Sequence, residues 1–294
     1  MIAGFIFFYF FFEGKRRKKK KKRKKKFCLK GRGEKKRKRR EGKRKKIMAD
    51  VLCFLETLDK SSSLYNAIER SMSIIDSALH LYSCPQEVAF SFNGGKDCTV
   101  VLHLIRGCLQ RRGSQAFPSV LYFSSSGEDL KKTNASLVFP EVVLFIKYCE
   151  AAFKFKVNEL KGFKEGLASL VAPKGSLRGV LMGTRVGDPD ARQLMGPFTP
   201  TSTSWPPVMR VCPILEWNYG QIWQFLRGLK APYCSLYDLG YTSLGSPTDC
   251  TPNPALVSGE KNGEIHEPAW KLEDGLLERM GRGRAPKVRD TQSL

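Results

Sequence analysis

The amino-acid sequence predicts an α/β fold, a mostly parallel sheet flanked by helices. Three observations carry that expectation. From residue 87 onward, short apolar segments alternate with amphipathic ones, the order that βα units require. A Gly-Gly-Lys loop separates the first such strand from the helix after it. The chain of 294 residues is also long enough for one large buried core.

Ala49–Tyr82 reads as helical, with apolar positions at Leu64, Ala67, Ile68, Ile74, Ile75, Ala78 and Leu79, and Pro85 as its stop. Glu87–Phe92 is a short apolar strand. Thr99–Gln110 places Val100, Val101, Leu104, Ile105 and Cys108 on one helical face. Ser119–Phe123 is a second strand, and Phe139–Phe153 a helix with Pro140 in its first turn. Lys154–Leu160, Gly162–Val171 and Gly179–Gly183 follow as strand, helix and strand. The glycines and prolines of 184–213 predict a long loop. Ile214–Trp217 reads as a strand, and Asn218–Leu229 as an amphipathic helix that opens on an Asn218/Gln221 capping pair. Leu272, Leu276, Leu277 and Met280 mark a last short helix that carries Arg279 and Arg282. Ser124–Val138 is polar and longer than the usual βα connection of about 2–6 residues, as a lid or an insertion would be.

Charge divides the chain. Its net charge is +23, but residues 1–46 hold 24 Lys and Arg against 3 Asp and Glu, which leaves the remainder at +2. The body is nearly neutral and gives no reason to expect nucleic acid, so any such binding would run through the basic arm. Residues 1–47 read as a disordered arm that repels itself, 48–285 as the folded domain and 286–294 as a flexible tail. Ile2–Phe12 is apolar but shorter than the roughly 20 residues of a membrane span. Its charge follows the apolar run, whereas a signal peptide carries it before. Nine scattered cysteines without a CxxC pair, and three histidines, argue against structural zinc and a disulfide framework. That usage fits a reducing, cytoplasmic setting, with nuclear import through the arm as the alternative. Nothing in the sequence specifies an oligomeric state.

Chemistry concentrates in a few segments. In SFNGGKDC, residues 91–98, Gly94 and Gly95 let the backbone approach a phosphate, Lys96 adds a point charge, and the following helix adds the positive end of its dipole. The four-residue spacing of a Walker loop is missing. In LMGTRVGDP, Arg185 can pair with phosphate oxygens, and Asp188 can bind Mg²⁺ or orient a substrate group. In SWPPVMRVCPILEW, Trp205 and Arg210 suit a planar conjugated ligand, whereas Trp217 reads as core. Residues 233–256 are rich in Tyr, Gly and Pro and read as a fixed loop.

In this order, SFNGGKDC, LMGTRVGDP, WPPVMRV and YCSLYDLGYTSLGS resemble the eukaryotic FAD synthase family, single-domain plant or fungal type, from about Glu87 to Arg282. The resemblance implies a phosphoadenosine phosphosulfate (PAPS) reductase-like fold and a PP-loop that cuts ATP between its α- and β-phosphates. It also implies transfer of AMP to FMN with Mg²⁺, giving FAD and pyrophosphate. By position it implies that Ser91, Phe92, Asn93, Gly94, Gly95, Lys96 and Asp97 hold ATP, that Gly183 and Arg185 also bind substrate, and that Asp188 lies in the flavin and metal region. Trp205 and Arg210 would lie in the flavin region. Asn93, Asp97, Asp188, Arg279 and Arg282 would serve catalysis, with Asp97 and Asp188 on the metal. Ser204, Val208, Cys212 and Glu216 depart from the family's Gly, Phe, Asn and Asp, which places the departures in the expected flavin region. Two other readings of the same fold stand beside this one. A PAPS reductase would need a redox cysteine near the C-terminus, where Cys250 is the last. A degenerate member would bind nucleotide or flavin without turnover.

Overall fold

The structure is a computed structural model that describes residues 50–82, 86–124, 138–171, 176–258 and 265–283. The expectations for the basic arm, for Pro85, for the polar stretch 125–137 and for the C-terminal tail lie outside the described residues.

Two helices precede the sheet, α1 (Asp50–Thr57) and α2 (Ser63–Leu81), where the sequence predicts one. The break has a local cause. Asp59 accepts hydrogen bonds from the N–H and hydroxyl of Ser61, and the Ser62 side chain caps α2 by accepting from the Tyr65 N–H at 3.2 Å. Ile68, Met72 and Ile75 of α2 are fully buried, each contributing about 1.5–3 kcal/mol of apolar burial.

The first βα unit runs from β1 (Val88–Ser91) to α3 (Lys96–Arg111). Helix α3 starts three residues before the expected Thr99, because Gly95 takes the extended N-cap conformation and the Thr99 hydroxyl donates to its carbonyl at 2.8 Å. Lys96 and Asp97 therefore sit in the first turn of a helix. Val100, Val101, Leu104, Ile105 and Cys108 are all fully buried, as their spacing predicts. Gly107 lets α1 and α2 approach α3, since a Cβ there would lie 3.1 Å from Val51 and 3.2 Å from Met72.

Next come β2 (Ser119–Ser124), α4 (Pro140–Phe153), β3 (Val157–Lys161), α5 (Phe163–Val171) and β4 (Gly179–Leu181). The expected loop 184–213 instead contains β5 (Phe198–Pro200) and β6 (Met209–Val211), which pair antiparallel. Three-residue strands are too short to show a period in sequence. Ile214–Trp217 is a turn and not a strand: the Leu215 N–H donates to the Cys212 carbonyl and the Trp217 N–H to that of Ile214. Its apolar side chains are buried by packing rather than by sheet pairing. Helix α6 (Tyr219–Gly228) carries the full Asn218/Gln221 capping box. A small hairpin, β7 (Val257–Ser258) and β8 (Ile265–His266), follows. The expected C-terminal helix is two short 3-10 turns, Ala269–Lys271 and Gly275–Arg279, with Leu272 buried but Leu276 fully exposed to solvent.

The main sheet has the order β3-β2-β1-β4-β6-β5, parallel except for the β5 edge. The chain leaves β1 toward β2 and β3, then returns to the other side of β1 as β4. The crevice between the carboxyl ends of β1 and β4 is thus the switch point, where open α/β sheets bind ligands. Among the described residues, no helix is long and apolar enough to cross a membrane.

Candidate active site

The loop after β1 is shaped by its own side chains. Asn93 folds back so that its Oδ1 accepts from the Gly95 N–H at 2.9 Å. Gly94 has φ +75°, and a Cβ there would press within 3.1–3.2 Å of Ile146 and Val142 on α4. Only glycine meets both demands at low cost. The Lys96 N–H donates to the Tyr237 hydroxyl at 2.8 Å. The Asp97 and Cys98 amides lie in the first helical turn, where no carbonyl a turn back receives them.

The loop after β4 closes over that turn. Gly183 approaches so closely that a Cβ would lie 2.8 Å from the Cys98 nitrogen and 2.9 Å from its Sγ. Two residues on, Arg185 is buried and reaches across the switch point. Its Nε donates to Asp97 Oδ1 at 2.7 Å, and its Nη2 to both Glu278 oxygens at 2.7 and 2.6 Å. Lys96, only 2% exposed, completes the set with Nζ 3.0 Å from Asp97 Oδ2 and 2.5 Å from Glu278 Oε1. Two cations and two carboxylates therefore form one charge-balanced cluster. Burial opposes the charge on Asp97, but Lys96 and Arg185 outweigh it and hold the carboxyl below its ordinary range. Burial likewise opposes the charge on Lys96, and Asp97 with Glu278 more than offsets it.

Asp188 has a different setting. Its Oδ2 accepts from the Arg185 backbone N–H at 2.9 Å, and burial pushes its pKa above the ordinary 3.8. Among the described residues, no group of three or more His, Cys, Asp or Glu could by itself hold a metal ion. Mg²⁺ characteristically takes one or two carboxylates and completes its shell with water and phosphate oxygens. Asp188 fits that donor set. Asp97 has each oxygen bonded to a cation, so it serves a metal less well than its sequence position predicts.

A cavity of about 520 Å³ opens over these groups. Ser91, Asn93, Gly95, Lys96, Asp97, Gly183, Asp188, Arg279 and Arg282 all line it, so most of the predicted site converges. Arg282 donates to Cys250 Sγ at 3.4 Å and lies 3.5 Å from Asp249, while its buried Nε has no hydrogen-bond partner among the described residues.

Five predicted contacts do not line the cavity: Arg185 turns its guanidinium to Asp97 and Glu278 instead of an open phosphate site, and four others lie elsewhere. Phe92 is fully buried in an aromatic cluster with Phe90 and Phe155, and Gly94 faces α4. Trp205 stands outside the cavity, 5.7 Å edge-on to Phe163, and Arg210 donates to the Pro200 carbonyl from β6. The flat walls of the cavity come instead from Tyr122, Phe123 and Phe163, with Met182 beside them. Tyr122 and Phe123 lie at the carboxyl end of β2, Phe163 just after β3 and Met182 just after β4, and no motif marks the three aromatic residues in sequence. Of the four departures, Val208 and Cys212 are core residues, Glu216 pairs with Arg70 on the surface, and Ser204 is exposed; none lines the cavity. Glu278 and Tyr237 were hidden by their segments: their function appears only through partners far away in sequence.

Residues 174–254 match the phosphoadenosine phosphosulfate reductase domain family. A probable FAD synthase of Schizosaccharomyces pombe is 33% identical over 236 residues, covering 80% of this chain and 86% of the relative. A probable FAD synthase of Caenorhabditis elegans is 36% identical over 242 residues, covering 82% of this chain but 43% of the relative. This chain thus spans less than half the length of the nematode relatives it matches. In fold it is similar to Candida glabrata FMN adenylyltransferase in complex with FMN and an ATP analogue, with TM-score 0.70 at 23% identity over 82% of this chain and 96% of the other.

Proposed function

The chain belongs to the FAD synthase family, and on that premise we propose that it transfers the adenylyl group of ATP to the phosphate of FMN, yielding FAD and pyrophosphate. The observation that carries the reading is the convergence, at the β1/β4 switch point, of the glycine loop, Asp188 and two arginines around one cavity with aromatic walls. The Candida glabrata enzyme, similar in fold, binds FMN together with an ATP analogue, which supports the same pair of substrates here.

The FMN phosphate is already anionic, so attack of its oxygen on the α-phosphorus requires little general-base work. Positioning and charge neutralisation supply the rate. The first-turn amides of Asp97 and Cys98 and the α3 dipole face the ATP phosphates. Arg279 and Arg282, both on the cavity lining, neutralise the pyrophosphate that leaves. Tyr122, Phe123 and Phe163 hold a flat ring, the isoalloxazine of FMN. Asp188 would hold Mg²⁺, which when bound would supply charge neutralisation at the transferred group. Asp97 orients Arg185 and keeps the loop in place.

A sulfur-reductase reading needs an accessible redox thiol near the C-terminus, and Cys250, the last cysteine, is buried against Arg282. The deciding experiment incubates the full chain with FMN, ATP and Mg²⁺ and follows FAD and pyrophosphate by chromatography. FAD in amounts equal to pyrophosphate is expected; flavin that stays FMN overturns the reading.

A further inference from the structure

One carboxylate at the cavity has no part in that chemistry. Glu278 lies in the 3-10 turn Gly275–Arg279, next to Arg279 and one turn before Arg282. We propose that Glu278 is a positioning residue, which sets Arg279 and Arg282 over the cavity by joining Lys96 and Arg185, and that Lys96 acts on Glu278 and not on the nucleotide. The inference rests on the reading of this cavity as an ATP site.

The Lys96 ammonium has three protons. One goes to Asp97 and one to Glu278, and the remaining face looks onto the rings of Tyr219 and Tyr237 at 5.6 and 5.8 Å. Its donors are filled or covered by aromatic faces, and the side chain is enclosed. A phosphate would have to break one of these contacts to reach it. Glu278 is equally committed, with Lys96 and Arg185 both donating to its carboxylate.

The backbone of the same turn is pinned from the other side. The Thr242 hydroxyl donates to the Glu278 carbonyl at 2.6 Å, and Asn253, fully buried, donates to the Leu277 carbonyl at 2.8 Å. The Arg282 N–H returns to the Arg279 carbonyl at 2.8 Å, and the Thr251 N–H reaches the Gly281 carbonyl at 3.0 Å. Among the described residues, the turn that presents both arginines packs at Gly275 against Tyr219 of α6 and has two polar attachments besides. One is to the loop 242–253; the other, through the Glu278 carboxylate, is to the phosphate loop and the β4 loop. Glu278 thereby ties the arginines to the groups that face the nucleotide.

A carboxylate between Lys and Arg also resembles a bound phosphate, so a competing description is an internal mimic that nucleotide displaces. The two descriptions differ in sign. Removal of a mimic tightens nucleotide binding; removal of an anchor weakens it and lowers turnover.

The test is a double-mutant cycle in the full chain with Lys96→Met, Glu278→Gln and the pair. Isothermal titration with a non-hydrolysable ATP analogue and Mg²⁺ gives the dissociation constants, and FAD formation runs in parallel. Each single variant is expected to weaken binding about ten-fold, and the pair no further than the worse single, with kcat down at least about ten-fold and KM for FMN within about three-fold. Multiplicative losses would show that Lys96 meets the nucleotide by itself, and a tightened Glu278→Gln variant would show a mimic; either result overturns the proposal. If a single variant does not fold, the charge-balanced pair carries the test alone, since binding and turnover like the parent's overturn it. A parent chain that binds nucleotide but makes no FAD would fail the adenylyltransfer reading and leave the binding cycle intact, whereas a parent that binds no nucleotide overturns both.

Discussion

The Tyr237 hydroxyl and the Lys96 backbone N–H meet at 2.8 Å across 141 residues of sequence. Tyr237 is fully buried, edge-on to Trp223 and Tyr233 at 5.4 and 6.3 Å, and burial raises its pKa well above the usual value. The hydroxyl is therefore a neutral, fixed acceptor. It satisfies an amide in the first turn of α3 that the helix itself cannot satisfy. The loop 233–256 is in this way a clamp on the phosphate loop.

Tyr237→Phe should show what that clamp contributes. The variant keeps the ring and deletes the acceptor, leaving a buried N–H unmet. A loss of ~1–3 kcal/mol in urea unfolding is expected, with a weaker nucleotide Kd. Unfolding curves and titrations that superimpose on the parent's would show that the contact does not hold the loop.

The local parts of this site were legible in the sequence, and the distant parts were not. The β1 strand, the Gly-Gly turn and the apolar face of α3 are set by neighbours within a few residues, so pattern reading finds them. Gly183, Asp188, Arg279 and Arg282 were located by their segments and do line the cavity. The ion cluster needs Arg185 to reach Asp97 across 88 residues and Glu278 across 93, which the switch point alone brings about. Trp205 and Arg210 carried the right chemistry for a flat anionic ligand, but their side chains lie outside the cavity. Phe163 has that place instead, because α5 begins directly after β3.

Asp188 should give the enzyme's acid limb. Burial raises its pKa above 3.8, so it takes up a proton at a higher pH than an ordinary aspartate. A bound divalent cation favours the ionised form and opposes that shift. The acid limb of kcat/KM is therefore expected above the ordinary carboxylate range at low Mg²⁺, and to move down as Mg²⁺ rises. Asp188→Asn should abolish the limb together with most activity, and removing Mg²⁺ with a chelator should stop turnover without unfolding the chain. A limb that ignores Mg²⁺ would separate Asp188 from the metal.

His103 should make folding sensitive to mild acid. It is 3% exposed, edge-on to Phe153 at 5.2 Å, and burial lowers its pKa from 6.5 to about 4. Between those values the unfolded chain binds a proton that the folded chain refuses. Stability is thus unaffected by this group above pH 6.5, falls as pH drops toward 4, and levels below that. The contribution amounts to about 3 kcal/mol. His103→Leu keeps the bulk and removes the titration, so denaturant midpoints of parent and variant should diverge below pH 6.5. Parallel curves from pH 7 to 4 would refute it.

Gly245 should be essential to activity and nearly irrelevant to stability. Its Cα lies against the Arg282 guanidinium, so that an added Cβ would overlap Nη1 and Cζ. The obstacle is the far end of a flexible side chain, and Gly245 has none of the left-handed φ that marks Gly94 and Gly240. Gly245→Ala therefore costs the fold little, but it displaces Arg282 from its seat beside Cys250 and Asp249. If Arg282 acts, as proposed, on charge that develops as pyrophosphate leaves, the loss should fall on kcat, by about 100-fold, with KM for FMN little changed. Arg282→Ala should reproduce that loss, and the double variant should be no worse than either single, since both remove one guanidinium from one place. An unchanged Tm with full activity in Gly245→Ala would mean that Arg282 works from another position.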